Sequence, residues 1–367
     1  MGSRGLGLLT AFLLAASVTG CANRLTGPIH IAENPPWTAA DTPAVLPWTA
    51  DDVLRHRIIL IGDTGYYLEN DPTLKSLDRW ATEFDSTSVI FLGDNIYNEG
   101  LTDDDRAHGE HILSHQLAST TASKIFIPGN HDWGFMPKDQ NAKAIRNQQA
   151  FIEQWPADRA EFIPKDGCMG PVTRILHEAG DQERSVVFIA LDPTPWINAR
   201  LRDACPRAQT DEEFLNRLDA VLTEHAEDFV LLGSHYPMLT GGPHGGLTYG
   251  LLADMIVTPL GWMMGGLGNT YEPRYADWIE RTQAVLRSHP PEIYAAGHDH
   301  SLQLLDAGDV AGLYVVSGAG AVERVSTVTH LPETFFAHAA PGFVVIDIID
   351  STDNPENSGE ENVVIRV

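Results

Sequence analysis

Short apolar runs recur from Arg57 onward, each ending at a turn residue: Ile58–Ile61, Val89–Leu92, Ile125–Ile127, Val186–Leu191, Phe229–Leu232, Ile293–Ala296, Leu313–Val316 and Phe343–Ile349. Runs this short, rich in Ile and Val, predict strands buried on both faces. Between them, Leu74–Phe84, Glu212–His225 and Tyr275–Ser288 carry apolar residues at helical spacing. Strands alternating with helices predict an α/β architecture in layers. The acidic, turn-rich stretch Asp350–Glu361 leads into Val363–Val367, which reads as a final strand. No segment repeats, which excludes a solenoid or propeller.

Three stretches depart from this pattern. Residues 1–20 hold one positive charge, Arg4, an apolar run from Leu6 to Ala16, and small residues up to Cys21. This is signal-peptide chemistry, too short and poorly flanked for a transmembrane helix. Residues 21–50 carry Pro28, Pro35, Pro36, Pro43 and Pro47 among small and polar residues, the composition of an extended tether. The catalytic domain is expected over 51–367. Within it, 247–268 is apolar with Asp254 as its lone charge. Pro259 and the glycines argue against a membrane span there, leaving a packed insertion or an apolar lid.

The 367 residues carry 24 Lys and Arg against 50 Asp and Glu, a formal charge of −26. So acidic a chain is a poor binder of nucleic acid, because affinity for a phosphate backbone comes mainly from basic side chains. With 43% hydrophobic residues the chain has material for a full core, and global disorder is excluded. Beyond Cys21 the cysteines are Cys168 and Cys205. In an exported protein this pair fits a disulfide, with two buried thiols as the alternative.

Candidate chemistry lies at the downstream ends of predicted strands, where open α/β sheets assemble their sites. Five motifs stand there: Gly62-Asp63-Thr64-Gly65, Gly93-Asp94-Asn95-Ile96-Tyr97, Gly129-Asn130-His131-Asp132, Ser234-His235-Tyr236-Pro237 and Gly297-His298-Asp299-His300. Asp63, Asp94, Tyr97, Asn130, His235, His298 and His300 supply oxygen and nitrogen donors without a thiolate, a set for hard or borderline metals. Seven donors exceed what one octahedral ion could use while leaving room for substrate, so two ions sharing a carboxylate are expected. His108, His111 and His115 share a helix face at i, i+3 and i+7, either a solvated surface or a second metal site.

Taken together, these motifs resemble the binuclear metallophosphoesterase (calcineurin-like) superfamily, and specifically its purple, or tartrate-resistant, acid phosphatase branch. Gly65, where other branches place a histidine, and Tyr97 carry that narrower likeness. The resemblance spans about residues 56–349 and implies a four-layer sandwich of two mixed β-sheets flanked by helices. It also implies that Asp63, Tyr97 and His300 bind Fe(III), that Asn130, His235 and His298 bind Fe(II), Zn or Mn, and that Asp94 bridges. The implied reaction is phosphomonoester hydrolysis with metal-bound hydroxide as nucleophile, His131 as proton donor and His244 as a second substrate-side histidine. A phosphodiesterase on the same metals and a non-catalytic metal-binding envelope lipoprotein are the alternatives. Val18-Thr19-Gly20-Cys21 resembles a bacterial lipobox, which implies acylation at Cys21 and an exported protein anchored in the cell envelope. The expected partners are a small phosphate ester and, through the anchor alone, a membrane.

Overall fold

The computed structural model describes residues 29–32, 53–134, 138–180, 184–207, 209–245, 268–350 and 361–367. Cys21 and residues 246–267 lie outside these. Among the described residues, fourteen strands form two seven-stranded sheets. The first sheet contains β1 (Ile29–Ala32), β2 (Val53–Ile61), β3 (Thr87–Phe91), β4 (Ser123–Phe126), β5 (Ala160–Phe162), β13 (Val344–Asp350) and β14 (Glu361–Arg366). Their spatial order is β1-β14-β13-β2-β3-β4-β5. Strands β2 to β5 run parallel, whereas β13 is antiparallel to both β2 and β14.

The second sheet contains β6 (Val172–His177), β7 (Val186–Ala190), β8 (Phe229–Gly233), β9 (Ile293–Ala296), β10 (Leu302–Leu305), β11 (Leu313–Ser317) and β12 (Thr334–His338). Here the order is β12-β10-β11-β9-β8-β7-β6, with β7, β8, β9 and β11 parallel and antiparallel pairing toward both edges. Both sheets are therefore mixed.

Alternation along each strand sets the layering, because successive side chains leave opposite faces. From β2, Ile58 and Leu60 join Phe188, Leu231, Val315 and Ile346 in the core between the sheets. Ile59 and Ile61 instead meet α1 (Pro72–Thr82), α2 (Arg106–Ala118) and α4 (Lys138–Ile152), whose Leu77, Leu113 and Ile145 complete an outer core. Across the second sheet, Val187, Val230 and Leu232 pack on α6 (Asp211–Glu224) and α7 (Pro273–Leu286) through Phe214, Leu218 and Trp278. Strands covered on both faces have no polar side to show, which is why they read as continuous apolar runs. Two of the helices, α1 and α6, start at side-chain caps: Asp71 accepts from the Thr73 and Leu74 amides, and Thr210 forms a capping box with Glu213. No helix among the described residues is long and apolar enough to cross a membrane.

One strand residue ties the fold to pH. His56 on β2 is buried, with Nδ1 2.9 Å from Ser86 Oγ and Nε2 3.2 Å from Ser88 Oγ. Burial, reinforced by the nearby His177, lowers its pKa to about 3. The unfolded chain takes up a proton near pH 6.5 that the folded chain refuses until about pH 3, so stability is full above 6.5 and falls as pH drops. At pH 5 the expected loss from this residue is about 2 kcal/mol relative to pH 7.5. Denaturant unfolding at both pH values should show His56→Gln losing less by that amount; equal losses would mean that His56 titrates normally.

Candidate metal centre

The parallel strands β2, β3 and β4 of one sheet and β8 and β9 of the other end at the same edge of the sandwich, and each is followed by a donor-bearing turn. Asp63, Asp94 and His298 leave their strands with φ of 60°, 52° and 69°. This left-handed conformation is costly for residues other than glycine, and here it turns the side chains back over the sheet edge. Close backbone approach makes two glycines obligatory. A Cβ on Gly129 would lie 2.3 Å from Asp94 Oδ1, and one on Gly93, whose φ is +88°, would lie 2.7 Å from His235 Nδ1. After β4, the one-turn helix α3 (Asn130–Trp133) presents Asn130 and His131.

The donors gather in two sets. In the first, Tyr97 Oη donates to Asp63 Oδ1 at 2.8 Å, and His300 Nε2 lies 3.2 Å from that oxygen and 3.3 Å from the phenol. In the second, His235 Nε2 lies 3.0 Å from Asn130 Oδ1, 3.4 Å from Asp94 Oδ1 and 3.1 Å from His298 Nδ1. Donor atoms of Asp63, Asp94 and His235 all fall within 4.8 Å of one another, which places the two sets side by side.

Backbone carbonyls fix the imidazole tautomers, since a carbonyl can only accept. His235 Nδ1 donates to Leu92 O at 2.8 Å, His298 Nε2 to Gly268 O at 2.7 Å, and His300 Nδ1 to Arg324 O at 2.7 Å. In the neutral imidazoles the inward nitrogens are therefore lone pairs, the arrangement that orients metal-binding histidines. Two such lone pairs and an Asn carbonyl converging at 3.0–3.1 Å repel one another unless positive charge lies among them, so the donor set fits a cation.

Electrostatics make the same demand. Burial pushes His235 and His300 down, but Asp94 and Asp63 around the first and Asp63 beside the second outweigh it and raise both. His298 has no carboxylate among its largest influences, and burial with His244 and His235 holds it well below the ordinary range. Tyr97 is raised by burial, then by Asp63 and Asp94, so a cation is needed for the phenolate to form here.

His131 and His244 flank the donors. The His131 amide donates to Asp94 Oδ1 at 2.8 Å, its Nδ1 donates to Asn98 O at 2.7 Å, and its ring stands edge-on to Tyr97 at 4.7 Å. The His244 ring stacks on His298 with centroids 4.0 Å apart, and its Nδ1 lies 3.2 Å from Asn269 Oδ1. His244 and Gly268, which flank the apolar stretch on its described sides, both meet His298.

Cys168 and Cys205 are joined in a disulfide, and Cys21 lies outside the described residues. His108, His111 and His115 lie on α2, where the last two pack against Tyr67 at 4.2 and 5.2 Å. Among the described residues, no set of three carboxylate, imidazole or thiolate donors other than Asp63, Asp94 and His235 comes together.

Several positioning residues are absent from the sequence reading. Asp132 accepts from the amides of Gly129, Asn95 and Ile96 and from the Asn95 side chain at 2.8–3.1 Å, clamping the Asp94 and Asn130 loops together. Burial and then Asp94 raise its pKa to about 7. Asp299 turns away from its two histidine neighbours, accepting from Thr240 Oγ1 at 2.5 Å and the His244 amide at 3.2 Å. Gln116 ties Thr64 O to Asn95 O at 3.0 and 2.8 Å. The available signal was adjacency, since Asp132 and Asp299 sit inside the motifs without being donors themselves.

The chain is 23% identical over 295 residues to tartrate-resistant acid phosphatase type 5 of Oryctolagus cuniculus, covering 76% of this chain and 77% of that one. It is 21% identical over 277 residues to purple acid phosphatase 4 of Arabidopsis thaliana, covering 71% and 67%. Its fold is shared with GAP50, the anchor in the inner membrane complex of Plasmodium, at a TM-score of 0.56 and 16% identity over 85% of this chain and 84% of that one. The calcineurin-like phosphoesterase profile matches residues 56–302, a span that holds both donor sets, and the chain belongs to that family.

Proposed function

We propose that the protein hydrolyses phosphomonoesters as a purple acid phosphatase. The observation that carries this reading is a paired donor set with Tyr97 in one half and a histidine, His131, beside it. Asp63, Tyr97 and His300 would hold Fe(III), a hard cation suited to two carboxylates and a phenolate; Asn130, His235 and His298 would hold Fe(II), Zn or Mn, with Asp94 shared. Two cations there would supply Lewis acidity to the phosphoryl group and lower the pKa of water. The chain's own residues do the rest. Asp132 keeps Asp94 and Asn130 in register, Asn98 O holds the His131 tautomer so that Nε2 faces away from the backbone, and His131 delivers a proton to the departing oxygen. His244, held by Asn269 and Asp299, lines the substrate side of the second donor set.

The fold shared with an anchor protein is a reason to rest the reading on the donors and not on the architecture. Export with an acyl anchor at Cys21 is part of the proposal, and the disulfide supports it, since such bonds persist in oxidising compartments. The test is a visible absorption spectrum of the purified protein with metal analysis and turnover of phosphomonoesters across acidic pH. A tyrosinate-to-Fe(III) band that disappears in Tyr97→Phe, with about two metals per chain, is the expected result. A colourless protein holding two Zn or Mn ions and favouring diesters would refute the purple assignment.

A further inference from the structure

Arg324 is a cation at the site that makes no ion pair with a carboxylate among the described residues. It ends the short turn of helix Val322–Arg324 after β11, and its carbonyl is the group that orients His300. Its guanidinium lies over the ring of Tyr97 at 4.4 Å and over that of Tyr66 at 5.6 Å, and the two tyrosines are themselves 4.8 Å apart. Several arginines elsewhere are paired with carboxylates, Arg57 with Asp347, Arg184 with Glu292 and Arg281 with Glu212. Arg324 makes no ion pair with a described carboxylate, and its Nη1 is buried without a hydrogen-bond acceptor among the described residues. Aromatic faces hold a guanidinium in place while leaving its charge and donors available. In a chain of charge −26, that is a cation kept for something other than stability.

Its position says which part of a substrate it meets. Tyr66 Oη lies 3.4 Å from the Asn98 side chain, and the Asn98 carbonyl holds His131. Arg324, Tyr66, Asn98 and His131 thus line one flank of the site, the flank on which a departing alcohol would receive its proton. We infer that Arg324 reads a second anionic group, a carboxylate or phosphate, on the alcohol of the ester, so that the preferred substrates are phosphomonoesters of acidic alcohols. This rests on the phosphomonoesterase reading above and narrows its substrate class. A planar fork matched to a carboxylate or phosphate gives the preference its geometry.

The test compares 3-phosphoglycerate with glycerol 3-phosphate, which share a three-carbon leaving group and differ in one carboxylate. With the full, metal-loaded protein, wild type should favour the former in kcat/KM. Arg324→Gln should lower the ratio of the two by about tenfold, the worth of a charge-assisted hydrogen bond. Arg324→Lys should keep part of it. The ratio cancels any general loss from disturbing Tyr97, and metal content per chain checks for one. Calorimetric titration with phosphonoacetate, which carries two anions and no scissile ester, should show a similar weakening in Arg324→Gln. An unchanged ratio, an equal loss on both esters, or equal phosphonoacetate affinity would overturn the inference while leaving the phosphatase reading intact. Turnover of neither ester by loaded wild type would sink that reading, and this one with it.

Discussion

His131→Ala should retain both metals and lose about 10²–10⁴-fold in turnover of an alkyl phosphate, the usual contribution of a positioned general acid. The imidazole touches the donor sets through its backbone amide, which donates to Asp94, and through its ring edge on Tyr97. Neither contact makes it a ligand, so truncation at Cβ leaves the amide bond to Asp94 in place. The leaving group separates a proton donor from a phosphate-positioning residue. An alkoxide needs its proton in the transition state, whereas nitrophenolate leaves without one, so the loss should be at least about tenfold smaller on p-nitrophenyl phosphate. Equal losses on both substrates would assign His131 to positioning; no loss on either would deny it any part in turnover. Metal analysis of the variant is part of the measurement, because a depleted centre would mimic a lost acid.

The second large effect concerns stability. Asp347 on β13 is fully buried and receives two guanidiniums. Arg57 Nε donates to Oδ1 at 2.7 Å and Nη2 to Oδ2 at 3.1 Å, and Arg366 Nη1 donates to Oδ2 from β14. Both arginines lie over the Trp80 ring, at 5.0 and 5.7 Å. This cluster pins three neighbouring strands, β2, β13 and β14, to α1. Asp347→Ala should cost about 3–5 kcal/mol, because it leaves buried positive charge without its counterion. Arg57 keeps Glu83 Oε2 at 3.2 Å and Trp80 O at 2.9 Å as partners when the carboxylate is removed. Replacing Arg57, Asp347 and Arg366 together by apolar residues of similar size should recover most of the loss, since the charges then vanish as a set. Denaturant unfolding of the two variants decides it. A cost below about 1 kcal/mol for Asp347→Ala would place the cluster among weakly coupled surface pairs.

Most of the central strands were legible in the sequence because burial on both faces leaves little room for polar residues; β10, interior and buried throughout but carrying Gln303, was not. The edges were not. Strand β6 holds Arg174 and His177, and β5 is three residues long, Ala160–Phe162; neither needs an unbroken apolar run. Helix α4 escaped apolar spacing for a related reason: Asn141 and Gln148 sit on its buried side. Asn141 is there to bond the carbonyls of Trp133 and Gly134. Polar residues that hold loops from within a core look, in sequence, like solvent-facing ones.

By itself, the sequence determined the order of the donors and their positions at strand ends, because a short turn after a buried strand is local chemistry written in a few adjacent residues. It also carried the family resemblance. The tertiary structure decided which donors meet. Tyr97 and His300 are 203 positions apart and His235 and Asn130 are 105 apart, and they converge only because two sheets pack with their strand ends on one edge. The same packing decided which imidazole nitrogen bonds a carbonyl, that Asp132 and Asp299 serve as braces, and that Arg324 stands over Tyr97 with no ion pair to a described carboxylate. Each of these depends on a carbonyl, an amide or a ring face brought in from a distant part of the chain, and no local pattern of residues records where those groups come to lie.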